Sequence, residues 1–201
     1  DVFDYGVTEV YDFVILDSLA FSLYREGQDV GIMKFIFNSN WEYRDSYRNF
    51  LNEMGQIYCF TATEKNIYLG TDDGIWIGNV SLNLKDPNNW RRYNDIINGK
   101  VTGMHKMNDQ ILASTELSLM KIDLTDTTNN NVTSLGNNLI EFGFELLSYD
   151  NPGIWLAKED RLIWIDDNGG KNEFSVGSTI TSLYKEDNLI ILGTERGLKT
   201  F

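Results

Sequence analysis

The reactive side chains of this chain are one histidine, one cysteine and a scatter of carboxylates, and those numbers decide which chemistry is open to it. His105 is the sole histidine, so a Ser-His-Asp or Cys-His arrangement has no other base, and no nucleophile-elbow pattern accompanies it. It follows the strand-like Val101–Met104, where a hydrogen-bonded or solvated histidine is the plainer reading. Cys59, between Tyr58 and Phe60, reads as a thiol buried like a small hydrophobe. One cysteine excludes an internal disulfide, and one His with one Cys falls short of a zinc ligand set. The sequence therefore predicts no catalytic residue and no transition-metal site.

Oxygen ligands are more plentiful. Asp72 and Asp73, Asp86 with Asn88 and Asn89, Asp123 with Asp126, and Asp166-Asp167-Asn168-Gly169-Gly170 could attract a hard cation. None has EF-hand spacing, and hairpin turns select the same residues. No cofactor is expected, with a structural calcium as the alternative. Glu9, Asp12, Glu64, Glu141, Glu145 and Glu186 fall in or beside segments read below as the first strand of each repeat, and a converging pair would suit glycoside hydrolysis.

The candidate binding residues are Trp41, Trp90, Tyr93, Arg91 and Arg92. Aromatic rings on outer strands either staple neighbouring sheets together or offer a stacking platform to a sugar or a protein. Arg91 and Arg92 are the only adjacent basic pair. With 17 Lys and Arg against 30 Asp and Glu, a net charge of −13, the average field repels nucleic acid and anionic lipid. No apolar run approaches the roughly 20 residues of a membrane-spanning helix, so membrane insertion is not expected.

These residues must be positioned by a repeat. Ile67-Tyr68-Leu69-Gly70-Thr71-Asp72-Asp73-Gly74-Ile75 returns as Ile190-Ile191-Leu192-Gly193-Thr194-Glu195-Arg196-Gly197-Leu198. Ile111–Thr115 and Ile154–Lys158 occupy the same phase. Aligned on Leu19, Ile67, Ile111, Ile154 and Ile190, the spacings are 48, 44, 43 and 36 residues, the period of propeller blades. A second apolar start precedes each anchor, at Val10, Ile57, Val101, Phe144 and Ile180, and opens the innermost strand.

Third strands follow at 31–37, 74–80, 119–123, 161–166 and 197–201, and fourth strands at 41–47, 89–93, 131–135 and 171–176. The fold class expected is all-β: a five-bladed β-propeller of four-stranded antiparallel blades in one domain, residues 1–201. Its blades span about 7–48, 55–94, 100–136, 140–177 and 178–201 plus 1–5. Asp1–Tyr5 would close the last blade as its outermost strand. Five blades of a larger propeller are the alternative. Gly74 and Gly197 are expected in left-handed turns, and Gly70 and Gly193 where close neighbours exclude a side chain. Ser46–Met54 has helical spacing and predicts a short helix.

The phrase of an apolar strand, then Gly-Thr, two variable residues, Gly and an aliphatic resembles the two-component regulator propeller repeat. Two of the five units match it fully, while Ile154-Trp155-Leu156-Ala157 keeps the strand and replaces Gly-Thr with Ala-Lys. The resemblance implies a propeller of the kind found in bacterial periplasmic sensor regions and in secreted or surface proteins, where such modules recognise saccharides or dock proteins. An opening at Asp1 without Met or an apolar leader agrees with a mature secreted chain or an excised domain. The expectation is a noncatalytic recognition or docking module for a protein or glycan partner, within a larger extracellular, surface or periplasmic protein. A glycan-active enzyme using rim carboxylates and a structural spacer are the alternatives.

Overall fold

A computed structural model describes residues 9–27, 29–48, 54–93, 97–125, 132–135, 143–150, 153–166, 170–186 and 189–201. They form five antiparallel meanders, the blades of a five-bladed β-propeller, with no α-helix among the described residues. The chain divides into two compact units, Asp1–Lys100 and Val101–Phe201.

The first unit holds β1 (Glu9–Ile15), β2 (Leu19–Glu26), β3 (Asp29–Asn38) and β4 (Asn40–Tyr47), then β5 (Ile57–Ala62), β6 (Asn66–Thr71), β7 (Gly74–Asn79) and β8 (Trp90–Arg92). The second holds β9 (Val101–Met107), β10 (Gln110–Thr115), β11 (Leu119–Asp123) and β12 (Val132–Leu135), followed by β13 (Leu146–Asp150), β14 (Gly153–Lys158), β15 (Arg161–Asp166) and β16 (Lys171–Ser175). Its last sheet contains β17 (Ile180–Glu186), β18 (Leu189–Thr194) and β19 (Gly197–Thr200). The strand assigned to Asp1–Tyr5 lies outside the described residues.

Side chains alternate across each sheet, and the second strand of a blade is apolar in both directions because sheets pack on both of its faces. In β14, Leu156 joins Leu112, Leu119, Phe144 and Leu147 on one side. Its neighbour Ala157 joins Leu162, Val176, Ile180, Ile190 and Leu192 on the other. In the first unit, Phe21, Leu23 and Ile32 meet Phe60, Ile67 and Leu69 in the same way. Each fully buried Leu, Ile or Phe contributes about 1.5–3 kcal/mol, so these interleaved layers are the main source of cohesion.

The repeated threonine has a defined task. Thr71 Oγ1 donates to the Gly74 carbonyl at 3.0 Å and accepts from the Asp73 N–H at 3.1 Å. Thr194 repeats both bonds with Gly197 and Arg196, at 2.7 and 3.2 Å. Thr115 does the same in the third blade with Ser118 and Leu117. One hydroxyl thus closes the hairpin from inside in three blades. Gly74 and Gly197 take φ of +88° and +108°, a region that glycine enters without a Cβ clash. A Cβ on Gly193 would stand 2.2 Å from Ser182 Oγ, so that glycine is required by a close neighbour. Gly70 occupies the corresponding register, opposite Cys59.

A second repeated device was not visible in the sequence. The innermost strand carries a β-bulge near its start in four blades, between Val10 and Asp12, between Ile57 and Cys59, opposite Ser114/Thr115, and between Ile180 and Ser182. The extra residues are Tyr11, Tyr58, Thr102 and Thr181. A bulge re-aims a side chain: Thr102 Oγ1 donates to the Phe144 carbonyl at 2.8 Å, tying the third blade to the start of the fourth, and the Phe144 N–H donates to Ser114 Oγ at 2.9 Å.

Two expectations are corrected. The helix predicted over Ser46–Met54 is replaced at its start by β4, because Ser46 and Tyr47 pair with Met33 and Ile32 and the ladder outweighs helical spacing; residues 49–53 lie outside the described set. The strand predicted to open at Phe144 begins at Leu146, because Phe144 spends its N–H and carbonyl on side chains.

Gly74 and Gly197 share a turn but differ in surroundings. A Cβ on Gly74 would meet the Ile97 carbonyl oxygen at 2.3 Å, whereas nothing lies within 4 Å of one on Gly197. Gly197→Ala should therefore cost about 1–2 kcal/mol for its backbone conformation alone, and Gly74→Ala about 1–3 kcal/mol more. Equal costs in denaturant unfolding would contradict this account of the turn.

Candidate functional site

The outer face of the first blade gathers aromatic side chains. The pairs Phe35 with Tyr43 and Phe37 with Trp41 sit directly opposite across β3 and β4, and Ile15 and Phe13 of β1 share their side of the sheet. Ring centroids lie 6.0 Å apart for Phe13–Phe35, 6.2 Å for Phe35–Tyr43 and 5.3 Å for Phe37–Trp41, with planes inclined at 46°, 73° and 57°. On the same face β2 presents Ala20 and Ser22 opposite Ile15 and Phe13, and Tyr24 beyond them, all three buried. The rings lie across this small-residue floor while Phe13, Ile15, Phe37, Trp41 and Tyr43 remain exposed. Nearby, the Arg25 guanidinium stands 4.9 Å from the centre of the Tyr11 ring.

The other candidate binding residues are placed elsewhere. Trp90 is buried with Leu84, Phe60 and Tyr47, and its Nε1 donates to the Leu84 carbonyl at 3.0 Å, so it staples the core and offers no open platform. Tyr93 is half-buried, edge-on to Tyr68 at 6.0 Å, and its N–H continues the β7–β8 ladder to the Ile75 carbonyl. Arg91 is exposed. Arg92 pairs with Asp73 at 2.9 Å and donates to Asn98 Oδ1 at 2.8 Å. Trp41, on the face turned from the second blade, does not meet this group. Alternation along β1 and β3 was readable in the sequence, but the convergence of Phe13, Phe35 and Phe37 with Trp41 required the register.

The charged groups mostly close the structure on itself. Asp72 accepts from the Tyr58 hydroxyl at 2.7 Å and from the Gln56 N–H at 3.0 Å. These bonds, with the Lys100 charge, hold its carboxyl below the usual range. Lys100 lies 4.1 Å from the centre of the same Tyr58 ring. Glu195, its counterpart in the fifth blade, accepts from Thr179 Oγ1 at 3.0 Å. The Asx-rich turns are similar: Asp86 accepts from Asn88, Asp123 from Thr125 and Asp166 from Gly170. Among the described residues, no group of three or more His, Cys, Asp or Glu could hold a metal ion.

Burial pushes the Cys59 thiol well up, helped by the charge of Asp12, and lowers His105, with Lys106 adding to the effect. Asp12 is exposed by surface area, yet the bulk of the chain around its carboxyl desolvates it and raises it to about 6, against the N–H of Phe13, which donates to Oδ1. Glu9, Glu64, Glu145 and Glu186 are exposed on four different blades. Glu141 lies outside the described residues.

No family model and no curated protein matches the chain. Solved structures do. PorZ, a bacterial surface component of the type-IX secretion system of Porphyromonas gingivalis, aligns over 98% of this chain and 25% of its own at 13% identity and a TM-score of 0.64. The extracellular domain of BT4673, a putative hybrid two-component system of B. thetaiotaomicron, aligns over 98% of this chain and 27% of its own at 16% identity and a TM-score of 0.63. The computationally designed Ika4 protein covers 73% of this chain and 91% of its own at 16% identity and a TM-score of 0.55. At these identities the likeness is one of fold, and the chain spans about a quarter of the two bacterial proteins' lengths. Among the described residues no helix is long and apolar enough to cross a membrane.

The raised Asp12 carboxyl has a signed consequence. With a folded-state value of about 6 above an unfolded one of 3.8, the folded chain binds more protons in that interval, so stability falls as pH rises through it. Asp12→Asn, which cannot ionise, should unfold at a higher temperature than the parent at about pH 7.5, and the gap should close towards pH 4. A gap that stays constant between those pH values would refute the desolvation.

Proposed function

We propose that this chain is a noncatalytic docking module that contacts a protein partner through the outer aromatic face of its first blade, as part of a larger extracellular, surface or periplasmic protein. The observation that carries the reading is that face itself: exposed Phe13, Ile15, Phe37, Trp41 and Tyr43 lie together on one sheet, over a floor of Ala20 and Ser22. Clustered exposed aromatics of this kind mark contact surfaces. The inclined ring planes make a rugged surface, which suits interdigitation with protein side chains better than the flat stacking a sugar ring requires. The reading calls for no cofactor and no nucleic acid.

The neighbours' descriptions, one a surface component and one an extracellular domain, support that location. Membership of the two-component regulator propeller repeats is supported by the shared Gly-Thr turn, whose threonine closes the hairpin at Thr71 and Thr194.

Photo-crosslinking tests the proposal directly. A benzophenone side chain at position 41, in the cells that make the protein, should give a discrete polypeptide adduct that one at position 88, exposed in the turn before β8, does not. Replacing Phe13, Phe37 and Trp41 one at a time with Ser, in variants whose circular dichroism and thermal unfolding match the parent's, should weaken that complex, and the strongest of the three should do so at least about tenfold. Absence of an adduct at position 41, or equal adducts at both positions, would overturn the docking role.

A further inference from the structure

We propose that Asn98-Gly99 is a self-modifying site: the Gly99 backbone nitrogen displaces the Asn98 side-chain amide as ammonia, the Arg92 guanidinium binds the oxyanion, and water opens the resulting succinimide to leave a carboxylate at position 98.

An asparagine followed by glycine carries both partners of a ring closure, since one bond from the next backbone nitrogen to the side-chain carbon makes a five-membered imide. Asn98-Gly99 lies in the segment between β8 and β9, and both residues are exposed, so water reaches them. A side chain on the second residue ordinarily obstructs the attack. Gly99 has none, takes φ of +84°, and a Cβ built on it would meet nothing within 4 Å, which leaves room for its nitrogen to approach the amide. Its carbonyl is anchored, accepting from the Gly74 N–H at 2.9 Å, while nothing among the described residues accepts from its own N–H. The chain is thus pinned beside the nucleophile, and the nucleophile keeps no competing bond.

The electrophile is the part that the fold prepares. Arg92 Nη2 donates to Asn98 Oδ1 at 2.8 Å, and the same nitrogen holds Asp73 Oδ1 at 2.9 Å, which fixes the guanidinium against the amide. Attack of the Gly99 nitrogen on Cγ moves the carbonyl π electrons onto Oδ1, so negative charge develops on the atom the guanidinium already touches. The attacking nitrogen gives its proton to hydroxide or water. Collapse of the adduct breaks the Cγ–Nδ2 bond, and Nδ2 takes a proton from water and leaves as ammonia. A second water adds to either imide carbonyl, giving an aspartyl or isoaspartyl residue at position 98. The product also suits the site. Arg92 Nε is buried without a partner and shares an edge of the guanidinium with Nη2, so a carboxylate at position 98 can accept from both where the amide oxygen accepts from one. The site shares no residue with the first blade's aromatic face, so either can stand without the other.

The test keeps the intact chain in mildly alkaline buffer and follows it over days by peptide-mapping mass spectrometry, with isoaspartyl methyltransferase labelling to identify the isomer. Asn98 should convert at least about tenfold faster in the folded chain than in the same chain unfolded in urea, where the guanidinium no longer stands beside the amide. In urea it should match Asn168, the other asparagine followed by glycine. Arg92→Gln should lower the folded rate about tenfold or more, and unchanged thermal unfolding of that variant would show that the oxyanion donor alone was lost. No conversion at Asn98, a folded rate at or below the unfolded one, or an unchanged rate in Arg92→Gln would overturn the proposal. Should Arg92→Gln fail to fold, the comparison of the folded with the unfolded parent decides alone.

Discussion

The structure depends on one constraint: the second strand of each blade is apolar in both directions and must be covered twice. Strand β14 shows it met, with Leu156 and Ala157 serving adjacent cores on opposite faces. Strand β2 meets it differently, burying Phe21 and Leu23 against the second blade and roofing Ala20 and Ser22 with aromatic rings from its own sheet. Strand β18 meets it on one side, where Ile190 and Leu192 are buried, while Leu189 stays exposed.

Polar interactions set geometry more than they supply cohesion. The Thr71, Thr115 and Thr194 hydroxyls close hairpins, and bulged Tyr58 and Thr102 are turned to bind Asp72 and the Phe144 carbonyl. Such bonds contribute about 1 kcal/mol each, less than a buried leucine, but they decide where each strand begins. That is why β13 starts two residues after its first apolar residue, Phe144. The same economy explains the acid-rich turns, whose carboxylates accept from their own backbone at Asp86, Asp123 and Asp166.

Much of the architecture was legible because its signals are local. Blade period, strand order and the glycine turns follow from spacing and from the backbone freedom of Gly74 and Gly197. Strands such as β11 and β15 begin and end where alternation places them. The predicted helix gives way at its start because Ser46 and Tyr47 have helical spacing yet are held by Met33 and Ile32, residues distant in the chain. The candidate site was half legible. Trp41 and Trp90 look alike as outer-strand tryptophans, yet one is exposed beside Phe37 and the other is buried with its indole N–H on Leu84.

The amino-acid sequence by itself determined that this is a β-repeat of five units with glycine-closed hairpins, because period and turn chemistry act over a few bonds. The tertiary structure decided which apolar residues are core and which are surface. That depends on whether a second sheet lies within van der Waals reach of a given face, a property of the register and stacking of whole blades that no single repeat encodes.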